Sequence, residues 1–212
     1  MWPETDKTEE LLLGVQAGDD QAVNRLMERH REGVRRLVQM RLDQRIQRRV
    51  DVSDVVQDVM IEAHRRLPDY LRGPAMPFHL WVRQIAKDRI IDAHRRHRVS
   101  GKRSVDREQQ LAIPAGDDQS ALELAAWLCD PEITPAAAAA QKELVHRVDH
   151  AIRQLDQADA EVIAMRHYEH LSNSDVAVAL GLTEPAASMR YLRAIRKLRT
   201  ILGGEDGESK TS

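Results

Sequence analysis

Between Ser172 and Arg199 the residue order leaves the backbone little choice. Ser172, with Asp175 three positions on, is a reciprocal helix-start signal. Val176, Ala177 and Leu180 give that helix one apolar stripe, and Gly181 ends it. Thr183 then opens a second helix that carries Arg190, Arg193, Arg196, Lys197 and Arg199. Ala177 and Gly181, one turn apart, are small enough to let the two helices approach closely across the short turn. A helix, a tight turn and a cationic helix make a helix-turn-helix, whose second helix enters the DNA major groove.

The rest of the chain is written in the same helical period. Residues 8–17 carry Leu11, Leu12 and Val15, and residues 20–42 carry Val23, Leu26, Met27, Val34, Leu37 and Val38. Asp51, partnered by Asp54, opens a helix with Val52, Val55, Val56, Val59, Met60, Ala63 and Leu67 on one side. Two prolines and a glycine make residues 72–77 a rigid loop. A further helix is expected from Phe78 to His97, with Trp81, Ile85, Ile90 and Ala93 inward. After Arg103 the composition swings. Residues 106–135 hold seven acidic side chains against a single Arg107, punctuated by prolines, which predicts a mostly extended acidic linker with one helical turn around Leu122–Leu128. Helical spacing returns at Leu144, Val148, Ile152 and Leu155, and Asp156 with Asp159 begins another helix. The expected architecture is all-α. It has two small helical domains at 8–100 and 137–202, an acidic linker at 101–136 and a disordered tail at 203–212.

Several function classes are excluded on composition. The net charge of -2 rules out a uniformly basic coat, so DNA affinity has to come from local clusters. The single Cys129 allows no internal disulfide and reads as a small buried apolar side chain. The start of the chain has no secretion signal, and no apolar run approaches the ~20 residues of a membrane span, so a soluble cytoplasmic protein is expected. His94 with His97, and Glu62 with His64, lack a third ligand at a workable spacing and sit among arginines, so no metal is expected. With no phosphate loop and no nucleophile motif, neither cofactor nor catalysis is expected.

Two further stretches carry a resemblance. Asp54-Val-Val-Gln57-Asp58-Val-Met-Ile61, followed by Phe78-His-Leu-Trp81 through Arg98, resembles the second conserved region of bacterial RNA polymerase sigma factors. Leu155 to Ser172, followed by the helix-turn-helix, resembles the fourth. Both regions in this order, with no large domain between, are the layout of the extracytoplasmic-function sigma factors, group four of the sigma-70 superfamily. The resemblance implies a subunit that binds core RNA polymerase, reads the -35 and -10 promoter elements and assists melting; the alternative is a stand-alone helix-turn-helix regulator. It implies core RNA polymerase (the clamp coiled coil of its largest subunit), promoter DNA and an anti-sigma protein as partners, with no membrane.

Three sites follow from it. Asp54, Gln57 and Asp58, spaced i, i+3 and i+4, share one helix face that Ile61 extends, and the resemblance gives that face to the polymerase. For the downstream element it implies Arg72, Phe78, Trp81, Lys87, Asp88, Arg95, Arg96 and Arg98. Phe78 and Trp81 are either base-stacking planes or core. Arg72, Arg83, Lys87, Arg89, Arg95, Arg96 and Arg98 form a phosphate track, and the run of Arg95, Arg96, Arg98, Lys102 and Arg103 faces only Asp92 nearby. Asp88 stands where the family commonly carries Asn, and its acceptors favour a base edge presenting amino donors. For the upstream element, an inward face of Ala187, Tyr191, Ala194 and Leu198 leaves Thr183, Glu184, Ser188, Met189, Arg190, Leu192, Arg193 and Arg196 toward DNA. His170 takes a turn position where relatives often have glycine, which predicts a strained backbone.

Overall fold

The computed structural model describes residues 2–98, 118–128 and 138–208, and every regular element in them is helical. Two compact units divide the chain, Met1–Ala112 and Ile113–Ser212. Cys129, Lys102, Arg103 and the side chain of Arg98 lie outside the described residues.

The first unit comprises α1 (Thr5–Gln16), α2 (Asp20–Arg41), a single turn α3 (Gln44–Gln47), α4 (Val52–Arg72) and α5 (Phe78–Arg98). Aspartates start two of them. The Asp19 carboxylate accepts from the Gln21 N–H at the head of α2, and that of Asp51 from the Ser53 N–H at the head of α4. Asp54 is therefore left out of the cap it was expected to share. The predicted stripes meet in one core: Leu26, Val34, Leu37 and Val38 of α2 against Val55, Val56, Val59 and Ala63 of α4 and Val82, Ile85 and Ile90 of α5. α1 lays Leu11, Leu12 and Val15 on its edge. The Pro-rich loop holds its shape through the Tyr70 hydroxyl, which donates to the Met76 carbonyl at 3.0 Å, while the Pro77 carbonyl accepts the first N–H groups of α5. Gly33 has a packing reason. A Cβ there would come within 2.9 Å of the Trp2 ring, so glycine lets Trp2 lie flat on α2.

The second unit contains α6 (Asp118–Leu128), α7 (Ala138–Gln154), α8 (Gln157–Ile163), a π-helical turn (Ala164–Tyr168), α9 (Asn173–Leu180) and α10 (Glu184–Glu208). Two expectations fail here. The segment read as extended linker contains the 11-residue α6, which packs on α7, the π turn and α10. Its Ala121, Leu124 and Ala125 are fully buried, so core packing outweighs the acidic composition. The tail expected to be disordered from Gly203 continues α10 as far as Glu208.

Local chemistry at the helix-turn-helix follows the sequence closely. Ser172 and Asp175 close a reciprocal capping box. Gly181 adopts φ 63°, and the Leu182 N–H donates to Ala177 O at 2.8 Å, which satisfies the carbonyls left open at the end of α9. Close approach is not why glycine is needed here, because no atom lies within 4 Å of where its Cβ would stand. Positive φ is the reason, while Ala177 is buried at 3% exposure. The Asn173 amide donates to Glu184 O at 3.1 Å, tying the head of α9 to that of α10. His170 takes φ 53° as expected, the one positive φ among the described non-glycine residues.

Candidate docking and nucleic-acid surfaces

α4 separates its two faces cleanly. The valines point inward, and Asp54, Gln57, Asp58 and Ile61 are all exposed, Ile61 at 58%. The four form one acidic-amide strip with an apolar end. Asp58 carries an ion pair to Arg96 of α5 at 3.6 Å, both half in solvent. Glu62, next along, turns to the side and gathers Arg65 at 2.7 Å, Arg89 at 3.3 Å and Arg66 at 3.7 Å. The hydrogen bond from Arg65 is the main force holding its carboxyl below the ordinary range. Asp58, Ile61, Arg89, Arg95 and Arg96 thus line an open groove between α4 and α5, with Glu62 at its floor.

The downstream set is only partly brought together. Phe78, at 3% exposure, is core. It meets His30 edge-on at 4.9 Å, Tyr70 at 5.4 Å and Trp81 at 5.4 Å, so its ring faces are taken and the stacking role falls away. Trp81 is half-buried, tilted over Tyr70 at 4.8 Å, and keeps part of its ring at the surface. Tyr70, unnoticed in the sequence, builds this platform; it continues the apolar spacing of α4 by three residues from Leu67. Arg83 is 3% exposed and engaged in an interaction of its own, so it leaves the proposed phosphate track. Arg72 sits at the loop edge, ion-paired with Asp69. Lys87 is half-buried, Asp88 is exposed and accepts from Gln84 at 3.3 Å, and Arg95 is exposed. The cations do not face Asp92 alone. Arg89 contacts Glu62 and Asp92, and Arg96 contacts Asp58.

α10 brings the upstream set onto one surface. Thr183 caps it, its Oγ1 accepting from the Ala186 N–H at 3.3 Å. Ala187, Ala194 and Leu198 are buried as expected, joined by Ile195 and Leu202, while Tyr191 is half-buried. Glu184, Met189, Leu192, Arg193 and Arg196 are exposed; Ser188 and Arg190 are half-buried at the sides. Two of the cations turn out to be structural. Lys197 reaches Asp156 at 2.6 Å and Asp159 at 2.5 Å, pinning α10 to the head of α8. Arg199 lies over the Trp127 ring of α6, 5.3 Å from its centroid. Arg190, Arg193 and Arg196 remain without an ion pair among the described residues. Tyr191 stacks on His167 and bonds to it at 3.0 Å, and the Arg166 guanidinium lies 5.6 Å from its ring centroid. Trp127 is a second residue the sequence reading passed over, and its signal was weak because it sits in an acidic stretch.

Among the described residues, no three His, Cys, Asp or Glu side chains are grouped to hold a metal ion, and no helix is long and apolar enough to cross a membrane.

Residues 26–99 match the family model described as Sigma-70 region 2, and residues 146–198 match that described as Sigma-70, region 4. The RNA polymerase sigma factor CnrH of Cupriavidus metallidurans is 31% identical over 155 residues, which is 73% of this chain and 75% of that protein. The ECF RNA polymerase sigma-E factor of Haemophilus influenzae is 28% identical over 184 residues, 87% of this chain and 89% of the other. In fold, the chain is similar to the solved structure of CnrH in complex with the cytosolic domain of CnrY, with a TM-score of 0.55, 24% identity, and coverage of 94% of this chain and 99% of that one.

Proposed function

The chain belongs to the extracytoplasmic-function sigma factors of the sigma-70 family and directs promoter-specific initiation by core RNA polymerase, and from this premise we propose which surface does what. The exposed strip Asp54, Gln57, Asp58 and Ile61 docks on the clamp coiled coil, where carboxylates and an amide pair with cationic side chains and set register. Trp81, Lys87, Asp88, Arg95, Arg96 and Arg98, with Arg72 at the loop edge, engage the separated strand of the -10 element. The outward face of α10 reads the -35 element. The protein works in the cytoplasm by recruitment and strand capture rather than by bond-making chemistry. An anti-sigma protein restrains it; the complex of CnrH with the cytosolic domain of CnrY supports a partner of this kind.

The observation that carries this reading is the coexistence of the α4 strip and the α10 cationic face, on separate units. A lone regulator has no use for the first. In run-off transcription from a promoter library, initiation is expected only when the chain and bacterial core polymerase are both present, and the free chain is expected to bind duplex only weakly. Tight binding of palindromic duplex by the free chain, with no requirement for it at the polymerase, would overturn the assignment.

The arginine and lysine roles on α10 separate in a salt titration. Arg193→Ala is expected to weaken holoenzyme binding to promoter DNA and flatten the dependence of log affinity on log salt by about one. Lys197→Ala is expected to leave that slope alone and instead lower the melting temperature, since it strips the partner from Asp159, itself 3% exposed. Equal slopes for both variants would return Lys197 to the DNA face.

A further inference from the structure

The first three turns of α10 present an unusual set of side chains for a helix assigned to base reading. At 100° per residue, Met189 stands at the middle of the outward arc. Pro185 and Ala186 precede it and Leu192 follows on the same side. Met189 is 56% and Leu192 43% exposed, although ordinary packing would bury side chains of this kind. Arg193 directly follows Leu192, and Arg196 lies one turn beyond Leu192. Residues near the start of such a helix meet base edges, and those around them meet phosphates. The outward arc at the start of α10 is therefore apolar, and its cations begin only at Arg193.

Only one base offers an apolar group to the major groove. Guanine and adenine show N7 with O6 or an amino group, cytosine shows an amino group, and thymine alone adds the C5 methyl. Resting on the placement of α10 at the upstream element, we infer that Met189 and Leu192 read thymine methyl groups there, and that these contacts set part of the promoter preference. The Arg193 and Arg196 pair beside them favours a polyanion over an apolar protein surface as the occupant. Methionine's flexible thioether suits contact with a methyl whose position shifts with local DNA shape.

The test uses holoenzyme reconstituted from core polymerase and the full chain. The upstream element is first selected from a randomised duplex. Each selected thymine is then replaced, one at a time, by deoxyuridine, which removes the methyl and keeps every hydrogen bond. At one or two positions affinity is expected to fall about three- to tenfold, and the penalty is expected to vanish in Met189→Ala or Leu192→Ala. Uniform indifference to deoxyuridine, or a selected element without thymine, overturns the methyl reading while the promoter role of α10 stands. If no upstream preference emerges from selection, the placement of α10 itself fails. If both alanine variants select and bind as the parent does but lose a protein partner, the apolar pair belongs to a protein interface, and the inference is overturned.

Discussion

The double variant Gln57→Ala, Asp58→Ala is expected to fold normally and to lose most of its capacity to start transcription. Both side chains are exposed, so neither removal opens a cavity, and substitutions of this sort lie within about 0.5 kcal/mol of neutral. The Asp58–Arg96 pair at 3.6 Å, half in solvent on both sides, adds at most about 1 kcal/mol. The same two groups are proposed to meet cations on the polymerase. Hydrogen bonds to charged partners contribute about 1.5–3 kcal/mol each, so losing two weakens core binding by roughly 100-fold or more at 1.4 kcal/mol per decade. Competition for core polymerase against a labelled parent chain measures this directly, with run-off transcription alongside. Arg96→Ala is the matched control. It breaks the same ion pair from the α5 side, and is expected to keep core affinity while weakening open-complex formation. Full initiation by the double variant would place the docking surface elsewhere.

How far these surfaces could be read from residues alone depended on the range of the interactions that decide them. The turn around Gly181 was legible because its partners are neighbours: Ser172 with Asp175, and Leu182 with Ala177, all lie within a few positions. The α4 strip was legible for the same reason, since a strong valine stripe fixes which residues point away from it. α5 resisted. Phe78, Leu80, Val82, Arg83, Ile85, Ala86, Ile90 and Ala93 are all buried, an arc too wide for a periodicity argument to tell a stacking phenylalanine from a core one. The fates of Lys197 and Arg199 were hidden by distance. Their partners Asp156, Asp159 and Trp127 stand 38 to 72 positions earlier in the chain, and no local rule pairs them. α6 is longer than the single turn expected around Leu122–Leu128 because a net acidic composition says what solvent sees, whereas Ala121, Leu124 and Ala125 record what the core sees.

The first unit is expected to lose stability on mild acidification because of His30. This side chain is 1% exposed, and burial, with His79 and Arg29 nearby, pushes its pKa down to about 3. The hydrogen bonds explain why a proton is unwelcome. Thr8 Oγ1 donates to Glu4 O at 3.0 Å, so toward His30 Nε2, 3.3 Å away, it acts as acceptor. The resulting tautomer carries its hydrogen on Nε2 and leaves Nδ1 buried without a partner. A second proton would sit on Nδ1, buried and with no acceptor among the described residues. In the unfolded chain the same imidazole titrates near 6.5. Between these two values the unfolded state binds the extra proton and the folded state does not, so stability falls as pH drops from 6.5 toward 3 and is unaffected by His30 above that window. At pH 5 the loss comes to about 2 kcal/mol. His167 of the second unit, its pKa lowered to about 4 chiefly by burial, acts in the same direction over a narrower range, muted by its partial exposure. His30→Leu isolates the effect, because Thr8 keeps its bond to Glu4 and the leucine packs against Phe78. Denaturant unfolding of parent and variant at pH 7.5 and pH 5 is expected to show their stability difference shifting by about 2 kcal/mol in favour of the leucine at the lower pH. A difference that stays constant across that interval would mean that His30 takes up its proton in the folded unit as readily as in the unfolded chain.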